Sequence, residues 1–291
     1  MSSAEPGHIA TRDDIRAVFE AFRVELDDHN DRRERLIKQS RDITNLSKKV
    51  IFLLHRVLTD DLADKETDEN GDKLEKSEKG DRARVLRAAA RAREKLREIQ
   101  LMFAAIRGEL QGDRFWRYQR QVSPGLQEYI EALSFTHYLE TGTLVSFEEV
   151  QKTLSDEHGV AHFPLPLEEY LLGLSDLTGE LMRYAISSIS QRGGRTKASE
   201  ICVFVRSCRA DFEAMTPHFR ELRKKQAVTS QSLQKIEDAA YAIVVRSSEY
   251  ELSPDMLDDI VERTVTTLSA EGGRGGGGRK RGRENDSDED D

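Results

Sequence analysis

Arg82-Ala-Arg-Val-Leu-Arg-Ala-Ala-Ala-Arg-Ala-Arg-Glu-Lys-Leu-Arg-Glu-Ile-Gln-Leu-Met-Phe-Ala-Ala-Ile-Arg-Gly-Glu-Leu110 is the stretch whose reading decides the fold class. Within it Val85, Ala89, Ala92, Leu96, Ile99, Phe103, Ile106 and Leu110 recur at steps of four and three, the period of one face of an α-helix. The outward side carries Arg84, Arg87, Arg91 and Lys95. The same period returns on both sides. Ile15, Phe19, Phe22 and Leu26, then Leu36, Ile43, Val50, Leu54 and Val57, predict one long helix from Asp13 to about Leu58. Its middle, Asp27 to Arg35, is almost wholly charged, which allows a bend or a solvent-crossing stretch there.

Further helices are predicted over Arg114 to Leu139, with Pro124-Gly125 promising a kink or a break near its middle, and over a short piece from Phe147 to Leu154. Pro164-Leu-Pro166 introduces the next helix, about Leu167 to Ser190, closed by Gly193-Gly194. On it Leu167, Leu171, Leu174, Leu181 and Ala185 form a core stripe, with Glu169, Gly173, Asp176, Glu180 and Arg183 on a second row. Helices over about Ala198 to Met215 and His218 to Arg246 follow, and a short one near Pro254 to Ser269. No run alternates apolar and polar residues between hairpin turns, so the fold is expected to be all-α, a single domain over residues 13–270. Residues 1–12 and the Gly/Arg then acidic tail, 271–291, are expected to be disordered, and 59–80, with nine acids and four lysines, to form a mobile loop.

Composition narrows the chemistry. No apolar run approaches the length of a membrane span, and Met1 to Gly7 lacks the basic-then-apolar order of a secretory signal. This predicts a chain of the cytoplasm and nucleus, with Arg279-Lys280-Arg281 as a candidate nuclear import signal or loose RNA contact, against the plainer reading of a solubilising tail. Cys202 and Cys208 are the only cysteines and read as packing residues. The histidines form no H-x-x-x-H or E-x-x-H pair, so any metal is expected to be held by oxygen. The net charge of -9 hides a strong segregation. Residues 32–56 hold eight Lys or Arg against Glu34 and Asp42, and residues 82–97 hold seven against Glu94. These stretches are the candidate polyanion surface, with Arg35, Lys38, Arg41, Lys48, Lys49, Arg87 and Arg91 as candidate RNA contacts. The plain alternative is a solvated helix face laced with ion pairs. No cluster of stacking aromatics accompanies them, so base-specific reading is not expected.

Two pairs of acids stand out. Glu128 with Glu131, and Asp176 with Glu180, each lie one helical turn apart, so each pair can aim two oxygens at one point. Four carboxylates on two packed helices suit a hard cation such as Mg²⁺, with Mn²⁺ as a substitute, and hence phosphate chemistry. Spacing alone proves little: 54 of the 291 residues are acidic, and chance places roughly ten such pairs at this spacing. A solvated acidic face is the competing reading. Arg183, one turn beyond Glu180, is expected to pair with it.

The segments Asp31 to Thr44 (DRRERLIKQSRDIT), Ser47 to Arg56 (SKKVIFLLHR), Gly125 to Phe135 (GLQEYIEALSF), Asp176 to Arg183 (DLTGELMR) and Ile236 to Arg246 resemble, in order, the translin-associated factor X branch of the translin superfamily. Tyr138 to Val145 also suits translin itself, but that branch lacks the paired acids. The resemblance implies an antiparallel all-α bundle. It further implies a Mg²⁺-dependent endoribonuclease acting on single-stranded or nicked RNA, either the passenger strand of small-RNA duplexes or tRNA-processing fragments. Glu128 and Glu131 match the family's first acidic pair, Asp176 its third acid, and Glu180 a further one. Translin is the implied partner, in a hollow hetero-octamer with the catalytic sites facing inward. The loop after Leu58 and the tail depart from the animal pattern and point to a fungal member. A non-catalytic scaffold that binds RNA or stabilises translin is the alternative function.

Overall fold

The stripe from Val85 to Leu110 turns inward as its period predicts: Ala89, Ala92, Leu96, Ile99, Phe103, Ile106 and Leu110 are buried. The computed structural model describes residues 12–59, 78–189 and 194–249, and among these it contains helices and no strand. The helices are α1 (Arg12–Thr59), α2 (Glu78–Ala105), α3 (Arg114–Thr141), α4 (Phe147–Thr153), α5 (Leu167–Ile189), α6 (Gly194–Met215) and α7 (Arg220–Glu249). A 3-10 turn at Arg107–Glu109 follows α2. The expected disordered ends, most of the acidic loop and the helix near Pro254 lie outside the described residues. Among those described, no helix is long and apolar enough to cross a membrane.

Helices α3 and α5 form the centre, with α1 and α2 packed on one side and α6 and α7 on the other. Helix α2 reverses on α1 and α3 reverses on α2, as the bundle reading expects: Arg35 of α1 meets Glu109 beyond α2, and Arg82 of α2 meets the Leu139 carbonyl near the end of α3; α5, however, runs parallel to α3, with Glu169 beside Ser123 and Gly173 against Ile130. The two reversals leave α1 and α3 side by side and parallel. His29 bonds Tyr118 at 2.8 Å, Gly125 bonds Ser40 at 3.0 Å, Lys48 pairs with Glu128 at 3.2 Å and His55 packs on Phe135 at 4.9 Å. Short helix α4 starts on a capping box between Ser146 and Glu149, which satisfies two otherwise orphaned amides.

Pro124 lies inside α3 without ending it. Proline cannot donate to the Arg120 carbonyl one turn back, so the ladder loses a bond. The neighbouring α1 packs against this turn and bonds two groups beside the proline: the Gly125 amide donates to Ser40 Oγ, and that hydroxyl donates to the Val122 carbonyl. A Cβ at position 125 would sit 2.8 Å from the Ser40 carbonyl oxygen, so only glycine lets α1 come this close. Gly173 does the same for α5, where a Cβ would fall 2.7 Å from Ile130.

Helix α1 is continuous through its charged middle, where Arg32 and Arg35 both reach Glu109 and tie the stretch to the turn after α2. One expectation about α1 changes: Ile15, Phe19, Phe22 and Leu26 do not enter the core and are 49–67% exposed, because among the described residues no other helix covers this end of α1. Leu167 is likewise exposed at the mouth of α5, while Leu171, Leu174, Leu177, Leu181 and Ala185 are buried. Cys202 and Cys208 are free thiols, the second buried, consistent with a packing role.

Gly173→Ala is expected to cost about 1–3 kcal/mol through overpacking against Ile130. Gly179→Ala, six residues along the same helix with nothing within 4 Å of the added carbon, should gain up to about 1 kcal/mol of helix propensity. Urea denaturation of both checks the pair; equal midpoints would contradict the close approach of α5 to α3.

Candidate functional site

Three of the four acids singled out by spacing line one cavity of about 620 Å³, where α1, α3 and α5 meet. Glu128 and Glu131 come from α3 just past the Pro124 irregularity, and Glu180 from α5. Lys48, Ile51, Phe52 and His55 of α1 form the opposite wall, and Arg183 stands beside Glu180. Asp176 is not part of the lining. It is bound by the Lys225 ammonium of α7, which also reaches the Leu172 carbonyl at 3.3 Å and the Gln127 side-chain oxygen at 3.4 Å.

The carboxylates differ in their counter-charges. Glu128 has Lys48 at 3.2 Å, in a pair whose lysine is 61% exposed, so the pair is weak and readily exchanged. Glu180 is buried and holds His55 Nε2 at 2.6 Å and the Arg183 guanidinium at 2.8 and 3.1 Å. Arg183 thus takes the expected structural pairing. Glu131 is buried, and among the described residues nothing donates a hydrogen bond to it or pairs with it. Burial first, then the fields of Asp176, Glu180 and Glu128, push its pKa up to about 8, with Lys225 pulling the other way. Burial also raises Asp176 above the usual carboxylate range, against the pull of Lys225. The remaining acid of the α5 row, Glu169, is buried away from the cavity and satisfied by Ser123 at 2.5 Å, Gln127 at 2.6 Å and Gln119 at 3.3 Å.

Hard oxygen donors fit a hard divalent ion, and Glu131 supplies a buried carboxylate in need of positive charge. The fit is one of donor type and placement. Among the described residues no set of three Asp, Glu, His or Cys side chains is drawn tightly enough to grip an ion as they stand.

The basic candidates divide. Arg41 and Lys48 lie on the row of α1 that faces α3, and Lys48 enters the cavity. Arg35 is engaged by Glu109, and Lys38 and Lys49 are exposed but turned off that row by the helical period. Arg87 and Arg91 are exposed on α2 and line neither groove. Sequence reading missed His55, Phe52 and Lys225. His55 follows Lys48 by seven residues, so the α1 period carried a signal for it. Phe52 lies off the predicted α1 stripe and is 67% exposed at the cavity rim. Lys225 is 49 residues from Asp176, and no local pattern links them.

A family model described as the Translin family matches residues 31–247. The chain belongs to the translin family. Translin-associated protein X of Mus musculus is 35% identical over 268 residues, covering 84% of this chain and 83% of the mouse protein. The Translin-associated protein X homolog of Schizosaccharomyces pombe is 28% identical and covers 79% of this chain, and Translin of Gallus gallus is 28% identical over only 157 residues. The fold matches the crystal structure of apo-NeC3PO with a TM-score of 0.54 at 17% identity, over 76% of this chain and 94% of that one. As a translin-family chain it is thus similar to the X proteins over most of its length and to translin over about half. The quoted blocks carrying the resemblance fall inside the matched span.

The raised carboxyl of Glu131 has a measurable consequence in this translin-family fold. The unfolded chain releases the proton near pH 4.5 and the folded chain keeps it to about pH 8, so this group's stabilisation is complete below that window and is lost as pH rises through it. Glu131→Gln is expected to melt higher than wild type at about pH 8.5, with the gap closing at about pH 4.5, in thermal scans run in EDTA. A gap that does not change with pH would contradict an uncompensated carboxyl.

Proposed function

We propose that this chain is the Mg²⁺-dependent endoribonuclease subunit of a complex with translin, cutting phosphodiester bonds in single-stranded or nicked RNA. The observation that carries the reading is Glu131, a buried carboxylate without an ion pair, set among Glu128, Glu180 and Asp176 beside an open cavity. Membership of the translin family and similarity to proteins named translin-associated support the partner, for which an octamer is the proposed assembly. RNA processed from small-RNA duplexes or tRNA precursors is the proposed substrate class.

Glu128, Glu131 and Glu180 would hold the cation, with Mn²⁺ able to replace Mg²⁺, and Asp176 would complete the set from beside Lys225. Such an ion supplies Lewis-acid charge against phosphoryl oxygens and acidifies water in its shell. The chain's own groups do the rest. His55 and Arg183 fix the Glu180 carboxylate in one orientation. Lys48 can exchange its weak pair with Glu128 for a substrate phosphate, since its long side chain is exposed. Phe52 offers a ring face to one base at the rim, which favours an unpaired strand without reading its sequence.

Co-purification with its translin and an assay on single-stranded RNA test the proposal. Cleavage should require Mg²⁺ or Mn²⁺, stop in EDTA and fall on the order of 100-fold or more in Glu131→Gln with assembly retained. Undiminished cleavage by that variant would refute it. One observation favours a second reading, a scaffold: Glu128, Asp176 and Glu180 already hold basic partners, as a structural charge network would. On that reading Asp176→Ala impairs assembly, and no cation-dependent cleavage is found.

A further inference from the structure

A second groove of about 560 Å³ opens on the same α1/α3 seam, lined by Arg33, Arg41, Thr44 and Asn45 of α1 and by Arg120 and Gln121 of α3. Its position follows from the helical period. Arg33, Ile37, Arg41, Thr44, Lys48, Ile51 and His55 step along α1 by threes and fours, so groove and acidic cavity share one face of the helix. Because α1 and α3 run parallel, Arg120 and Gln121 precede Glu128 and Glu131 just as Arg41 precedes Lys48. At about 1.5 Å per residue, Arg41 lies roughly 10 Å before Lys48 along the axis, a gap that a few nucleotides can bridge.

The groove's charge is largely unspent. Arg33 pairs with its neighbour Glu34 at 2.8 Å, but neither Arg41 nor Arg120 has a hydrogen bond or ion pair among the described residues. Guanidinium groups present forked donors that match phosphate oxygens, and Thr44 and Asn45 add neutral ones. No aromatic side chain lines the groove, which suits a backbone contact rather than a base contact.

We propose that this arginine groove is a subsite for the phosphodiester backbone, holding the single strand on the Arg41 side while the acidic cavity takes the adjoining phosphate. Its role in cleavage rests on the nuclease reading above; its binding of RNA does not.

The test is fluorescence anisotropy of a labelled single-stranded oligoribonucleotide on the full-length chain with its translin, in EDTA so that no cleavage intervenes. Wild type is compared with Arg41→Ala/Arg120→Ala and with Lys152→Ala, an exposed lysine on α4 outside both grooves. The double variant should bind about tenfold or more weakly for every sequence, with the salt slope reduced by about 2, while Lys152→Ala stays near wild type. Binding and slope unchanged in the double variant would overturn the proposal. So would displacement of the RNA by an acidic peptide of equal charge as readily as by unlabelled RNA. If cleavage fails but this binding difference holds, only the nuclease reading falls; if cleavage stands without it, only the groove does.

Discussion

Helix α3 is gripped from two sides at contact distance, and the site exists because of that grip. Gly125 admits the Ser40 backbone of α1, and Gly173 of α5 admits Ile130. Either side chain enlarged by one carbon would push a helix away, since the first neighbour is backbone and the second a β-branched side chain in a packed core. With both helices close, the residues that follow are forced together. Glu128 and Glu131 lie three and six residues after Gly125, and Asp176 and Glu180 three and seven after Gly173.

Close packing also sets the electrostatics. Carboxylates brought into one partly desolvated place repel, and the chain answers with Lys48, Lys225, His55 and Arg183 for all but one of them. Glu131 remains, protonated to about pH 8 by its surroundings. A purely structural network would gain by pairing or replacing this group, because a buried carboxyl with no partner costs stability. Its place beside an open cavity supports the proposed cation site, with the exposed Lys48 as the partner that an ion would displace from Glu128.

Most of the fold was legible in the sequence because helical period is a local signal. The stripe from Val85 to Leu110 and the short helix α4 stand where the pattern puts them, while α3 continues unbroken through Pro124-Gly125. The free end of α1 was not legible, since a stripe such as Ile15 to Leu26 reports an apolar face but not whether anything in the chain covers it. At the site, the acid pairs could be picked out by spacing and their family resemblance, and Glu128, Glu131 and Glu180 do meet at one cavity. The partners could not. Lys225 reaches Asp176 across 49 residues, Phe52 has the composition of core but the exposure of surface, and Arg120 gains meaning only when α3 is laid parallel to α1.

The central claim is that these carboxylates form a divalent-cation site. Calorimetric titration of Mn²⁺ into the wild-type complex and into Glu128→Ala, buffered above the Glu131 pKa of about 8, addresses it directly. Saturable binding by wild type that weakens on acidification and is lost or strongly reduced in Glu128→Ala is the predicted result. Equal binding by both proteins, or none by either, would contradict it.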